Sequence, residues 1–341
     1  MSAELSPRRQ WVLKAIVEEY VGTATPVSSD TIAGKAPRPV STATLRNEMA
    51  ALEELGLLSH PHTSAGRVPS DAGYRYYVEE LMEPAGLLPA EQRMIYHQFH
   101  QVQFAIDEWL ALARAVLAQA LQNAALVTPP LATRARVRRI DLIPLHEERL
   151  LLVLMLQSGH IRQQVLPVEP LPERDELSRL SNKLSARLEG RDVRGVRAAA
   201  QRAVGLEQEM LRAVARTMAQ AEQQGLEDLY YEGVSYVAAQ PEFAQSAKLR
   251  PIVEALEHGH LLAPVLAQAV ADSGVRVVIG QEQPNEAMRH CSVVVMGYGP
   301  DEELRGVLGV VGPTRMPYWR AVPLVHFVGT LMDALVRKSF R

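Results

Sequence analysis

Residues 41–82 read STATLRNEMAALEELGLLSHPHTSAGRVPSDAGYRYYVEELM, and this stretch decides the fold of the N-terminal part of the chain. Ser41 is suited to cap a helix, and apolar residues follow it at helical spacing. A short strand, a polar turn, a second short strand and another helix are expected next. That order predicts a helix-turn-helix with an attached wing.

Two more helices are expected before this stretch. Ser6 followed by Pro7 marks a helix start, since the hydroxyl can cap and proline is tolerated at the first helical position. Apolar residues at helical spacing then give that helix a buried stripe. A short helix over residues 29–35 follows, and Pro37 and Pro39 separate it from Ser41. Three helices with short connections fit a helix-turn-helix core.

The third helix divides into a core face and an outward face when its residues are spaced at about 100°. Leu45, Met49 and Leu52 fall on the core side, with Leu55 at its edge. The outward face suits a DNA major groove, because small residues allow close approach and Asn and Arg can pair with base edges. An ordinary solvated helix face is the alternative, since the far end of the helix is acidic. The residues predicted to read DNA are Ser41, Thr42, Ala43, Thr44, Arg46 and Asn47.

The polar turn between the two short strands is the predicted wing. Its hydroxyls, histidine and backbone N–H groups suit contacts with DNA phosphates, although an ordinary hairpin turn favours the same residues. The predicted wing contacts are His62, Thr63, Ser64, Gly66 and Arg67, with Arg67 as the charged anchor. His60 and His62 could share a strand face, but no third ligand lies nearby, so no metal is predicted.

Composition limits the class of protein. A chain of 341 residues suggests two or three domains, and an apolar content of 47% supports real hydrophobic cores. The longest apolar run, residues 150–156, is far shorter than the ~18 residues of a membrane span, and the N-terminus lacks the apolar core of a signal peptide. Cys291 is the only cysteine, which excludes an intramolecular disulfide and fits a reducing cytoplasm.

The charge of the chain gives no support to DNA binding. The net charge is −3, and residues 1–82 contain eight Lys/Arg and ten Asp/Glu, which leaves −2. A strongly basic domain is the usual footprint of a DNA-binding protein. Binding here must therefore depend on where the arginines are placed.

One long helix with a heptad seam is predicted after a Pro/Gly-rich linker at residues 83–90. Its apolar residues alternate by four and three: Ile95, Phe99, Val102, Ile106, Trp109, Ala113, Val116 and Ala120. Such a helix could pack against its twin in a dimer, or it could lie on the sheet of its own domain. The Ala, Val and Ile content of the seam favours the second interpretation.

The remaining pattern alternates between strands and helices. An antiparallel meander is expected over residues 137–143, 150–156 and 161–168, with the middle strand buried on both faces. Helices are predicted over 173–188, 196–224, 241–257 and 318–336, and further strands over 230–237, 275–279, 293–296 and 307–311. A sheet domain interrupted by a mainly helical insertion follows from this order.

No catalytic site is predicted. His290 and Cys291 are neighbours at a strand start, so their side chains point to opposite faces and cannot form a dyad. His258 and His260 do not share a helical face, and no nucleophile elbow or Walker loop occurs. We therefore expect neither an enzyme nor a cofactor.

Three stretches of the chain resemble one known family. They are ATLRNEM at 43–49, PHTSAGRVP at 61–69 continued by GYRYYV at 73–78, and GVVGPTRMPY at 309–318. They lie towards opposite ends in the expected order, and the wing motif is long and specific. The chain therefore resembles the heat-inducible transcription repressor HrcA family over nearly its whole length.

This resemblance implies an α+β, multidomain fold: a winged helix-turn-helix, then a GAF-like α/β domain with an inserted, mainly helical dimerisation domain. Combined with the patterns above, it predicts these limits: 1–82 winged-helix DNA-binding domain, 83–90 linker, 91–170 first part of the GAF-like domain, 171–238 inserted dimerisation domain, 239–341 second part of the GAF-like domain.

The resemblance also implies a function. A homodimer would bind an inverted-repeat operator of the CIRCE type ahead of chaperone operons and repress them. The chaperonin GroEL would keep the repressor active, and heat would divert the chaperonin to unfolded clients. Such a protein works in the bacterial cytoplasm, on the nucleoid when bound to DNA. The alternative is a winged-helix regulator whose GAF-like domain senses a small molecule.

Overall fold

The structure is a computed structural model, and it describes residues 5–60, 66–83, 86–102, 106–132, 135–145, 148–157, 159, 161–224, 229–244, 246–259, 261–272, 274–299 and 304–339. The chain forms a mixed helix-and-sheet fold with two compact units. Unit 1 comprises residues 1–128, 229–298 and 307–341, and unit 2 comprises residues 129–228 and 299–306. Each unit has its own sheet.

Unit 1 begins with three helices and a two-stranded hairpin. The elements are α1 (Pro7–Thr23), α2 (Ser29–Ala33), α3 (Thr42–Glu54), β1 (Leu58–Ser59), β2 (Val68–Pro69) and α4 (Asp71–Tyr76), and a π-helical turn over Tyr77–Leu81 continues α4. The strands are antiparallel, with Leu58 opposite Pro69. Buried residues of α1 and α3 form a shared core, among them Val12, Ile16, Leu45 and Leu52.

Serine caps begin all four of these helices. In each case the side-chain oxygen accepts a hydrogen bond from the backbone N–H three residues later, which satisfies one of the amides that a helix start leaves without a partner. The pairs are Ser6 with Arg9 (3.4 Å), Ser28 with Thr31 (3.1 Å), Ser41 with Thr44 (3.1 Å) and Ser70 with Gly73 (3.0 Å). The predicted caps at Ser6 and Ser41 are therefore confirmed.

The rest of unit 1 is built on a larger sheet with the strand order β8-β3-β11-β10-β9. Its strands are β3 (Ala124–Val127), β8 (Tyr230–Glu232), β9 (Val275–Ile279), β10 (Cys291–Tyr298) and β11 (Leu304–Pro313). The first residues of β11 belong to unit 2, where they pair with β4 (Leu131–Ala132). The helices are α5 (Pro89–Gln101), α6 (Ile106–Leu121), α10 (Val234–Ala238), α11 (Ser246–His258), α12 (Ala263–Ala271) and α13 (Tyr318–Ser339), with 3-10 turns at Pro241–Phe243, Gly280–Glu282 and Glu286–Met288.

Helix α13 is a core helix of unit 1. Among the described residues, α13 is the one helix that is long and apolar enough to cross a membrane. Its most apolar window has a mean hydropathy of 1.2. Half of that window is buried inside the protein, where the helix packs against β9, β10 and α6.

Unit 2 is an antiparallel meander covered by helices. The meander consists of β5 (Val137–Pro144), β6 (Arg149–Leu156) and β7 (Ile161–Pro167), and the helices are α7 (Arg174–Leu188), α8 (Val193–Gln201) and α9 (Gly205–Gln224). Leu150, Leu152 and Leu154 of β6 are fully buried in one core with Leu184 of α7 and Leu211 of α9. On β5, the backbone N–H groups of residues 140 and 142 donate to two serine hydroxyls of α7, each at 2.9 Å.

Several predicted elements differ from the structure. The helix predicted over 95–120 is two helices, because α5 ends at Gln101 and Val102 is extended. The helix predicted over 196–224 is also divided, since the backbone turns at Gly205 with φ +59°. The strand predicted over 230–237 is β8 followed by α10. The apolar spacing continued through the α5–α6 and α8–α9 breaks because each of these helices buries one of its faces in the fold.

The predicted domain limits were wrong for the meander. Residues 129–170 were assigned to the first part of the GAF-like domain, but β5, β6 and β7 form a separate sheet and share a core with α7 and α9. The middle strand also has one fully buried face only: Leu151, Val153 and Met155 on its other face are half-buried. The apolar run of β6 thus indicated a more enclosed strand than the one observed.

Candidate nucleic-acid interface

The N-terminal half of α3 has the predicted orientation. Ser41, Ala43, Arg46 and Asn47 are exposed, while Thr42 and Thr44 are half-buried. On the opposite side, the exposed fractions of Leu45, Met49 and Leu52 are 0%, 3% and 0%. Leu55 was placed at the edge of the core face and is 45% exposed, because the helix ends at Glu54 and Leu55 is its C-cap.

The start of α3 is suited to an anion. Ser41 Oγ also lies 2.8 Å from Thr44 Oγ1, so the two hydroxyls hold the first turn in place. That turn contains no acidic residue, so the partial positive charge of the helix N-terminus is not offset within it. A phosphate group of DNA is the kind of anion that such a terminus attracts.

Arg46 and Asn47 are the two side chains of this face that can read bases. Arg46 Nε donates to Ser29 Oγ at 3.2 Å, and Ser29 is buried at the start of α2. The guanidinium is thereby oriented by one nitrogen, and its two terminal nitrogens have no protein partner among the described residues. Asn47 also has no side-chain hydrogen bond within the described part of the chain.

The base of the predicted wing is held by a backbone bridge to the segment before α2. Val27 N donates to Arg67 O, and Arg67 N donates to Val27 O, each at 2.8 Å. Gly66 must lie close to this bridge, because a Cβ atom there would overlap the carbonyl group of Val27. The glycine of the wing motif is therefore required by backbone packing. His62, Thr63 and Ser64 lie outside the described residues.

Arg67 is paired within the protein. Its Nη2 lies 2.8 Å from Glu53 Oε2 and its Nη1 lies 2.9 Å from His60 Nε2, and its side chain is 21% exposed. The same Glu53 carboxylate approaches His60 Nδ1 at 3.7 Å. Arg67 joins the end of α3 to the base of the wing, and Glu53 offsets its charge.

Arg38 was missed by the sequence reasoning. It is exposed, lies three residues before the Ser41 cap and makes no ion pair with any described residue. A free cation beside the start of α3 suits a phosphate contact. The signal was available in the sequence, since this arginine lies between Pro37 and Pro39 in the short connection before Ser41.

The chemistry of a thiol enzyme finds no support at Cys291. Its side chain is 1% exposed at the start of β10, and burial raises the pKa of the thiol to about 12. The thiolate form needed for nucleophilic attack is therefore scarce at neutral pH. His290 is exposed in the turn before β10, whereas all eight residues of β10 are buried. Among the described residues, no group of three His, Cys, Asp or Glu side chains could hold a metal.

Known proteins resemble the chain over its full length. The family described as HrcA protein C terminal domain matches residues 107–322. The heat-inducible transcription repressor HrcA of Chloroflexus aggregans is 42% identical over 100% of this chain and 95% of its own length, and that of Chloroflexus aurantiacus is 43% identical over 98% and 95%. A solved crystal structure of a hypothetical protein at 2.2 Å resolution has a TM-score of 0.63 over 98% of this chain and all of that chain, at 23% identity, which shows a shared fold.

The two Chloroflexus relatives belong, by their names, to the class of transcription repressors. The chain belongs to the HrcA family. The matched family region begins at residue 107, so it leaves out α3 and the wing, whereas the two full-length relatives cover them. The comparisons assign no role to individual residues of the candidate interface, so those roles are inferred from the geometry described above.

Proposed function

We propose that this protein is a DNA-binding transcription repressor of heat-shock and chaperone operons. The observation that carries the proposal is the N-terminal half of α3, which is capped by Ser41, free of acids in its first turn and exposes Arg46 and Asn47. In this proposal α1, α2, α3 and the β1–β2 hairpin form a winged helix-turn-helix, and α3 enters the major groove. The names of the full-length relatives support the same assignment.

The contacts divide into base readers and phosphate contacts. Arg46 and Asn47 read bases, and Ser41, Thr42, Ala43 and Thr44 allow close approach and contact the backbone. Arg38 adds a cation beside this face. On the wing, we retain His62, Thr63, Ser64 and Gly66 as phosphate contacts, while Arg67 acts chiefly by fixing the base of the wing through Glu53.

The active form in this proposal is a homodimer on an inverted-repeat operator of the CIRCE type. The large segment of unit 2, residues 129–228, takes the dimerisation role that the family resemblance implied for 171–238, because the strands and helices of this segment share one core and so form one folding unit. The chaperonin GroEL maintains the active repressor, and heat stress removes that support. The protein acts in the bacterial cytoplasm and on the nucleoid.

A ligand-sensing regulator is the second candidate, and one concavity of unit 1 bears on it. A space of about 490 Å³ is lined by Leu87, Val275, Val322, Pro323 and Phe327, with Gln92 and His326 as its polar side chains. Gln92 Nε2 already donates to the carbonyl of Leu87 at 3.1 Å. The described lining thus offers little polar recognition, because specific ligand sites combine apolar walls with several placed polar groups.

Footprinting on the promoter of a chaperonin operon tests the proposal. Purified protein with chaperonin should protect both halves of the inverted repeat, and protection should weaken when the chaperonin is occupied by an unfolded client. A scrambled repeat of equal length is the matched control. Equal protection of both DNAs would contradict the assignment. Protection that depends on a small-molecule extract, with no effect of chaperonin, would favour the ligand sensor.

A further inference from the structure

Two side chains of α4 attach the N-terminal helices to the turn after β9, within unit 1. Asp71 Oδ2 accepts a hydrogen bond from the backbone N–H of Gln281 at 2.9 Å. One helical turn later, Arg75 Nε donates to Glu282 Oε1 at 2.7 Å, and Arg75 Nη2 contacts Glu282 Oε2 and the carbonyl oxygen of Val277. Bidentate pairs of this kind fix orientation as well as distance.

The turn at residues 280–282, which follows β9, fits closely against α4. Gly280 has φ +47°, and a Cβ atom at this position would overlap the carboxylate of Asp71. Glu282 is held within its own turn, since Glu282 Oε2 accepts from Ile279 N at 2.8 Å. The turn thus holds the Glu282 carboxylate by its own backbone and leaves room for the Asp71 carboxylate at Gly280.

A second attachment joins the sheet to the C-terminal end of α1. Arg315, which follows β11, donates from Nη1 to the carbonyl oxygen of Val21 at 2.6 Å. That carbonyl belongs to the last turn of α1, whose oxygens lack partners within the helix. The last turn of α1 contains no basic residue of its own, so Arg315 supplies the cation that a helix C-terminus favours.

The same guanidinium binds the segment that follows β8 and α10. Arg315 Nε lies 2.6 Å from Glu242 Oε1, and Nη2 lies 2.7 Å from Gln240 Oε1. The Arg315 side chain is 11% exposed and that of Glu242 is 25% exposed. One nearly buried guanidinium thus bridges three partners, and a lysine, with a single ammonium group, could not reproduce this fork.

These attachments reach the reading helix through α1. Arg9 Nε of α1 lies 2.9 Å from Glu48 Oε2 of α3, and α1 and α3 share a buried core. We propose that Arg315, together with Arg75 and Asp71, positions α3 on the sheet of unit 1 for operator binding, although none of the three touches DNA. This inference depends on the proposed function as a dimeric operator-binding protein.

Positioning matters for two half-sites more than for one. A dimer gains from the second half-site only when both reading helices reach their grooves together, and that gain reaches about 10²- to 10⁴-fold when the geometry allows it. A loosely attached helix keeps its own contacts with a half-site. Loss of the attachments should therefore weaken binding to a full inverted repeat while leaving single half-site binding nearly unchanged.

The experiment compares full-length wild type with four variants on two DNAs: the CIRCE-type inverted repeat and the same DNA with one half scrambled. The variants are Arg315→Gln, Arg75→Gln, Arg315→Lys and the double variant Arg315→Gln with Glu242→Gln, which leaves no half-buried carboxylate without its arginine. We expect the Kd for the full repeat to rise about 10-fold or more, with half-site Kd within about 2-fold and the dimer intact by sedimentation. Arg315→Lys should fall between wild type and Arg315→Gln.

The matched control is Arg289→Gln, which removes an arginine whose one ion pair among the described residues is with Glu286, three residues away. It should leave both affinities unchanged. Hydrogen exchange at the backbone amide of Gln281 reports the attachment without DNA, because this amide donates to Asp71. Exchange there should accelerate in Arg75→Gln and stay as in wild type in Arg289→Gln.

Three outcomes would overturn the inference. Full-repeat and half-site affinities that fall by the same factor in the double variant would mean that Arg315 only stabilises the fold. If Arg315→Gln and Arg75→Gln both bind the full repeat as tightly as wild type, the positioning role is wrong but the proposed function stands. A wild-type protein that shows no preference for the repeat over scrambled DNA would instead overturn the proposed function.

Discussion

Arg46 combines exposure with a fixed orientation, which is what a base-reading residue needs. Its bond to buried Ser29 limits the rotamers of a long side chain before DNA arrives. Glu53, on the same helix, has a different role, because its carboxylate is occupied by Arg67 and His60. The sequence placed Arg46 on the outward face correctly, but it could not show that Arg67 has a partner, since Glu53 and Arg67 meet only through the fold.

Replacing Arg46 with alanine should cost about 1–3 kcal/mol of specific binding and relax preference at one base position, because a bidentate pair with a base is lost. Competition binding against a panel of single-base operator variants measures this. Arg93→Ala, which removes an exposed cation from α5, is the control and should change little. Uniform weakening on every sequence would make Arg46 a phosphate contact.

Replacing Glu53 with glutamine should strengthen non-specific DNA binding and steepen its salt dependence by about one unit of slope, because Arg67 is released to contact a phosphate. Binding isotherms at several salt concentrations give the slope. Glu54→Gln makes the same change of charge at an exposed neighbour and controls for net charge. Identical slopes for the two variants would show that pairing with Arg67 does not matter.

At the scale of elements, the helices of the N-terminal part were predicted well because their signals are local. Caps at Ser6 and Ser41 and the stripe of Leu45, Met49 and Leu52 depend on residues within one or two turns of each other. The prediction of one continuous helix over 95–120 was wrong for a related reason. Apolar spacing reports which face is buried, and it stayed in phase across the break between α5 and α6.

The base of the predicted wing depends on one close approach between Gly66 and the backbone of Val27. Gly66→Ala should destabilise the protein by about 1–3 kcal/mol, because the new methyl group would displace the Val27–Arg67 bridge. Gly22→Ala is the contrasting control, since a Cβ atom there meets no atom within 4 Å and alanine favours the helix by about 0.5–1 kcal/mol. Thermal unfolding of the two variants should shift in opposite directions. A Gly66→Ala protein as stable as wild type would contradict this account.

At the scale of the whole molecule, residues 129–228 of unit 2 are inserted in the chain between β3 and β8, which are neighbouring strands of unit 1. β3 ends at Val127 and β8 begins at Tyr230, and these two residues are opposite each other in an antiparallel pair. The chain therefore leaves and re-enters unit 1 at adjacent points, as expected for a domain inserted in a hairpin. The sequence indicated an insertion, but it did not show that the meander belongs to it.

Replacing residues 129–228 with a short glycine-rich turn should leave unit 1 folded, because the turn would close the β3–β8 hairpin. We expect a monomer that binds a half-site with near wild-type affinity and loses about 10²- to 10⁴-fold on the full repeat, if unit 2 supplies the dimer contacts. Sedimentation and titration on both DNAs measure this. A variant that remains a dimer would place the interface in unit 1.

The sequence alone determined the caps, the buried stripe and outward face of α3, most strands and, through three motifs, the family. These features depend on neighbouring residues or on motifs that can be compared directly. The tertiary structure decided the partners of Arg67 and which compact unit contains the β5–β7 meander. It also decided the attachments made by Asp71, Arg75 and Arg315. Those contacts join residues up to 294 positions apart, and spacing along a chain carries no record of which distant groups will meet when apolar surfaces are buried together.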